Sequence, residues 1–181
     1  MRPLEEKHII LSCIAGEPGA QRALYELYLP YLLTIVRRYG FSSSDEADMV
    51  QDIYFEIFTS LEKFDLNKGT PKPWIRSIAV HTILKTKRKK GLLQIVDTEE
   101  SSLAQAHHLD LSSCDIGYIL KAIRSLPEGY QTVFNLYEID GFSHKEIGDM
   151  LGISVQGSRS QLSRAKLALQ RKIRKIQALG I

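Results

Sequence analysis

The chain has 181 residues, enough for one medium or two small domains, with 44% hydrophobic and 25% charged residues and a formal net charge of +3. Two cysteines, Cys13 and Cys114, sit in no CxxC pair and are too few for a disulfide framework, so a reducing, cytoplasmic setting is expected. The longest apolar runs fall far short of a bilayer and the start Met1-Arg2-Pro3-Leu4 lacks a hydrophobic segment, so neither a signal peptide nor membrane insertion is expected.

No alternating strand pattern extends beyond a few residues, and the apolar spacing is helical throughout, which predicts an all-α protein. A first helix is expected near Leu4 to Ala15, broken at Gly16-Glu17-Pro18-Gly19, and a second from about Ala20 to Tyr39, ended by Gly40. A third begins after Ser44. Its apolar positions Val50, Ile53, Tyr54, Ile57, Phe58 and Leu61 keep a 3, 1, 3, 1, 3 spacing and define a core face, while Asp48, Gln51, Asp52 and Glu56 fall off that stripe as an acidic polar face. The stretch Lys63-Phe64-Asp65-Leu66-Asn67-Lys68-Gly69-Thr70 has the Asp, Asn and Gly content of a loop. Pro71 and Pro73 then hold the entry to a fourth helix, Trp74 to about Lys90, which ends in Lys85-Thr86-Lys87-Arg88-Lys89-Lys90.

From Gly91 to Ser113 periodicity is weak, and residues 91–116 hold five acids (Asp97, Glu99, Glu100, Asp110, Asp115) with no Lys or Arg. This reads as a flexible acidic linker over 91–115 between a first domain, 1–90, and a second, 116–181. His107-His108 with Cys114 lack the paired spacing of a structural zinc site, so no metal or other cofactor is expected. A helix from Ile116 to Ser125 follows, then Leu126-Pro127-Glu128 with Pro127 at the first helical position of another helix running through Tyr137 to Gly141.

The last segment is the most informative. Ser143 and Glu146 form a capping-box pair at the start of a helix whose Ile147, Met150 and Leu151 share one face; Gly152 stops it, and Ser154 can cap the next. This is a helix-turn-helix. Its second helix carries Gln156, Ser158, Arg159 and Gln161 for hydrogen bonding to base edges, with Val155, Leu162, Ala165 and Leu169 packing back. From Arg159 to Lys175 every charged residue is basic, including Arg164, Lys166 and Arg171, where an ordinary solvated helix mixes signs. That stripe is the electrostatic footprint of a DNA-binding face, expected to involve Ser154, Gln156, Ser158, Arg159, Gln161, Arg164 and Lys166.

The motifs Leu126-Pro127-Glu128, Gly141-Phe142-Ser143, Glu146-Ile147, Leu151-Gly152-Ile153-Ser154 and Ser160-Gln161-Leu162-Ser163-Arg164-Ala165-Lys166 resemble the promoter-reading domain of the extracytoplasmic-function sigma factors of bacterial RNA polymerase. Independently, Asp48-Met49-Val50-Gln51-Asp52-Ile53-Tyr54, Phe64-Asp65, Lys68-Gly69-Thr70 and Trp74-Ile75-Arg76-Ser77-Ile78-Ala79 resemble that family's N-terminal domain. Ser158 and Pro73 depart from the usual residues. The resemblance implies a transcription initiation factor that binds core RNA polymerase and promoter DNA and is held in check by an anti-sigma factor. It implies that Asp48, Gln51, Asp52 and Glu56 dock on the polymerase. It further implies that Phe64, Asn67, Lys68, Trp74, Arg76, Lys85 and Arg88 open the downstream element, although by burial tendency alone Trp74 is expected in the core, a role compatible with the other. The linker would run toward the active centre. No nucleotide-binding loop, HExxH or GxSxG constellation is present, so an enzyme is not expected, nor a small-molecule ligand. The alternative is a free-standing helix-turn-helix regulator.

Overall fold

A computed structural model of the chain describes residues 3–65, 69–91 and 116–178. Those residues are helical with turns between, as the spacing predicts, and they divide into two compact units at Lys87/Arg88. The linker residues 92–115, with His107, His108 and Cys114, lie outside the described residues, as do Leu66, Asn67 and Lys68 of the loop.

In the first unit α1 (Pro3–Ile14), α2 (Ala20–Arg38), α3 (Ser43–Ser60) and α4 (Pro71–Lys89) surround one apolar core. Leu24, Leu32, Ile35 and Val36 of α2, Val50, Ile53 and Ile57 of α3, and Ile75, Ala79, Val80 and Ile83 of α4 are almost wholly buried. Two phenols tie the helices at defined heights. The Tyr54 hydroxyl donates to the Tyr25 carbonyl at 2.7 Å, and the Tyr28 hydroxyl donates to Glu6 at 3.1 Å. Ser42 caps α3 by accepting from the Asp45 amide, which starts the helix two residues before the expected position. Helix α4 also begins earlier than Trp74, at Pro71, where a missing N–H costs nothing.

The second unit contains α5 (Ile116–Arg124), α6 (Glu128–Phe134), α7 (His144–Leu151) and α8 (Val155–Ala178). Pro127 stands just outside α6, at the capping position, with extended ψ of 143°. The helix expected to reach Gly141 does continue past Phe134, but as a π-helical turn over Asn135–Ile139. Tyr137 and Glu138 of this wide turn meet the helix-turn-helix, at His144 and Lys166 respectively. Val133, Leu136, Ile147, Leu162, Ala165, Leu169 and Ile173 form the core, in which α8 packs on α6 and α7. No helix among the described residues is long and apolar enough to cross a membrane.

Candidate nucleic-acid and polymerase interfaces

The turn between α7 and α8 is built as its residues dictate. The Ser143 hydroxyl accepts from the Glu146 amide while the Glu146 carboxylate accepts from the Ser143 amide at 2.7 Å; hydrogen bonds donated to that carboxylate, first by the Ser143 hydroxyl and then by the Ser143 amide, hold its pKa below the usual value. Gly152 closes α7 in the left-handed region at φ 71°, and the Ser154 hydroxyl accepts from the Gly157 amide at 2.9 Å to open α8. Gly148 is the tightest point. A β-carbon there would stand 2.8 Å from the Ile153 carbonyl oxygen, so the turn passes over this residue only because it has no side chain.

The outward face of α8 differs from the expected one. Gln156 and Arg159 are exposed, and Ser163, which completes their 3, 4 spacing, is partly so. Ser158 and Gln161 are not on this face: they are 0% and 4% exposed. Successive helical residues turn by about 100°, so Arg159 and Gln161 sit about 160° apart around the axis and cannot both look outward. Ser158 instead lies on the buried line of Leu162, Ala165 and Leu169, four residues before Leu162, and Gln161 flanks it. Val155, expected to pack, is 40% exposed, because side chains lean toward the helix N-terminus and that of the first helical residue overhangs the turn. Arg164 is partly buried, and Lys166 is held by Glu138 at 2.7 Å. Gln156, Arg159 and Ser163 thus form the open polar stripe at the start of the helix that a major groove admits.

On α3, Asp48, Gln51 and Asp52 are exposed as expected. Among them stands Phe55, 67% exposed, an aromatic ring one turn from Gln51 and Asp52. It is not among the expected docking residues. The signal was available: Phe55 falls outside the 3, 1, 3, 1, 3 apolar stripe and inside the acidic one. Glu56 departs from the expected docking face, since it turns toward α4 and pairs with Lys85 at 3.4 Å. The residues assigned to docking and to DNA opening therefore meet at this pair.

That pair rims an open groove of about 310 Å³ between α3 and α4, lined also by Ser60, Trp74, Ser77 and His81. Trp74 is neither core nor free. It is partly buried and its ring meets Phe64 at 4.8 Å, tilted by 42°. An aromatic wall, Trp74, beside hydroxyls, an imidazole and an ammonium group suits an unstacked base and its phosphate. Arg76 is partly exposed, and Lys85 and Arg88 are exposed on the last turns of α4. Lys87 of the same basic run is a structural residue, 3% exposed with its ammonium 5.5 Å from the centre of the Phe41 ring.

Comparison with known proteins places both units. Residues 24–92 match the family model "Sigma-70 region 2" and residues 116–169 the model "Sigma-70, region 4". Among curated proteins, the chain is 24% identical over 167 residues to the ECF RNA polymerase sigma factor SigE of Mycolicibacterium smegmatis. That alignment covers 86% of this chain and 63% of the relative's length. It is 27% identical over 173 residues to the ECF RNA polymerase sigma-E factor of Escherichia coli K12, covering 87% and 90%. In fold it resembles CnrH, solved in complex with the cytosolic domain of CnrY (TM-score 0.55, 19% identity, 94% of this chain and 97% of that one). It also resembles the sigma factor RpoE of Bartonella quintana, solved with the anti-sigma factor NepR (TM-score 0.55, 22% identity, 86% and 98%). With region 2 in the first unit and region 4 in the second, the chain belongs to the sigma-70 family, as a sigma factor of the extracytoplasmic-function type.

Proposed function

We propose that this chain is a non-enzymatic initiation factor that joins core RNA polymerase, reads an upstream promoter element with α8 and opens a downstream element with the first unit. The observation that carries the reading is the presence in one chain of both a helix-turn-helix with an open polar stripe and the region 2 helix pair with its aromatic groove. A free-standing regulator has no use for the second of these.

In this reading Gln156 and Arg159 meet base edges, Arg164 and Lys166 approach phosphates, and Ser154 caps the reading helix. Ser158 and Gln161 act from inside by holding that helix in place. Phe64, Asn67, Lys68, Trp74, Arg76, Lys85 and Arg88 take the extruded strand, with Trp74 and Lys85 at the groove supplying a stacking surface and a cation. Asp48, Gln51 and Asp52 form an acidic rim around Phe55 that docks on a basic helical surface of the polymerase; Glu56, at the margin, steadies Lys85 until DNA arrives. An anti-sigma factor is a further partner, supported by the two solved neighbours, each captured with a protein partner. The site of action is the cytoplasm.

The test is selection of promoter fragments from a random genomic library by core polymerase with and without the chain. The reading expects fragments enriched only when both are present, carrying two elements at fixed spacing. Enrichment by the chain alone on palindromic sites would return the free-standing regulator.

A further inference from the structure

His144 opens α7, and contacts from two other elements converge on it. Its ring lies almost parallel to that of Tyr137, with centroids 4.3 Å apart and planes 19° apart. Its Nδ1 is 2.9 Å from the hydroxyl of Ser158, which is 0% exposed. Tyr137 belongs to the π turn, and its neighbour Glu138 binds Lys166 at 2.7 Å. The π turn therefore holds α8 at two points eight residues apart: Ser158, through His144, and Lys166, through Glu138. Eight residues of helix span about 12 Å, and two attachments at that separation fix the rotation of α8 about its axis.

Rotation is the variable that base reading cannot tolerate. Arg159, the next residue after Ser158, is exposed. At the 5–6 Å radius of a helix surface, a turn of about 10° carries a side chain about 1 Å along the groove. A forked guanidinium needs both its hydrogen bonds in line to distinguish a guanine edge, whereas a phosphate contact survives such a shift.

We propose that His144 is a positioning residue for promoter reading: stacked on Tyr137, it holds Ser158 through Nδ1 and so sets the rotation at which Arg159 meets its base. The inference rests on α8 being the reading helix. The charged groups facing the ring are Arg159 and Lys166 of α8 and Glu138 of the π turn. Burial, then Arg159 and Lys166, push the imidazole pKa below its ordinary value, and Glu138 offsets this in part, so the ring that holds Ser158 at neutral pH is uncharged.

The test uses the full chain reconstituted with core polymerase on three duplexes: the best upstream element, the same element with one base pair changed, and a random sequence. His144→Phe keeps the ring and removes the nitrogen. It is expected to cut the ratio of matched to mismatched affinity by about three- to tenfold, the range of one lost neutral hydrogen bond, while random-duplex affinity stays within about twofold. Ser158→Ala is expected to do the same, and the double variant to lose no more than either single one. His144→Asn, whose side-chain oxygen falls near the place of Nδ1, is expected to recover most of the ratio. An unchanged ratio in His144→Phe overturns the proposal. So do additive losses in the double variant, or equal weakening on all three duplexes in step with a lower melting temperature. If the unmodified chain itself fails to distinguish the matched from the changed element, the reading of α8 falls, and this proposal with it.

Discussion

Phe55 allows a sharp separation of docking from folding. Its ring is 67% exposed, so replacing it with alanine removes nothing from the core. Burial of a phenylalanine side chain contributes about 1.5–3 kcal/mol; two thirds of that, the part still open to water here, is about 1–2 kcal/mol. At about 1.4 kcal/mol per factor of ten, Phe55→Ala should weaken core polymerase binding about five- to thirtyfold. An acidic rim around an apolar centre has a second consequence. Charge reversal at Asp48 and Asp52 should slow association and blunt the salt dependence, whereas Phe55→Ala should speed dissociation and leave the salt dependence as it was. Titration of fluorescently labelled chain with core enzyme at two ionic strengths measures both, and thermal melts followed by circular dichroism check the fold. An affinity within about twofold of the unmodified chain, with the fold intact, would refute the placement of Phe55 at the centre of the docking face.

On α8, Arg159→Ala should lose about 1–3 kcal/mol at the best upstream element and relax the choice of base at one position, as read by competition with single-base variants. Gln161→Ala should instead lower the stability of the second unit and leave base preference unchanged; the reverse pattern would restore Gln161 to the outward face. Gly148→Ala gains about 1 kcal/mol of helix propensity but sets a methyl group against the Ile153 carbonyl, and overpacking costs about 1–3 kcal/mol, so a net loss is expected as a lower melting temperature. The pH dependence of stability has a defined sign at His144, whose folded pKa lies below the ordinary 6.5. As pH falls through about 6.5 the unfolded chain takes up the proton first, so stability present at neutral pH is lost toward the folded pKa. Melts between about pH 7.5 and 5 should show a shallower acid loss in His144→Asn, and an unchanged slope would clear His144.

Much of this molecule is legible from its residues because capping and periodicity act locally. The Ser143–Glu146 box, the left-handed Gly152 and the Ser154 cap need only neighbours within four positions, and each is where the sequence places it. The stripe of Val50, Ile53, Tyr54 and Ile57 is likewise set by helical spacing and lies buried. What escaped was set by tertiary contact. The polarity of Ser158 and Gln161 suggested an outward face, but helical spacing sets Ser158 on the line of Leu162, Ala165 and Leu169, and what receives its hydroxyl there is the ring of His144 on another helix. The π turn depends on one extra residue accommodated within a helix that still reads as regular. Lys85 and Glu56 lie 29 positions apart in different helices, so the acidic and basic faces read as separate.

The claim that the two units act together on one promoter is tested most directly by permanganate footprinting of a duplex promoter carrying both elements. With core polymerase and the chain together, thymines of the downstream element should become reactive, while either protein alone, or a promoter lacking the upstream element, leaves them protected. Thymines that stay unreactive with both proteins bound, or that react equally without the chain, would contradict the account.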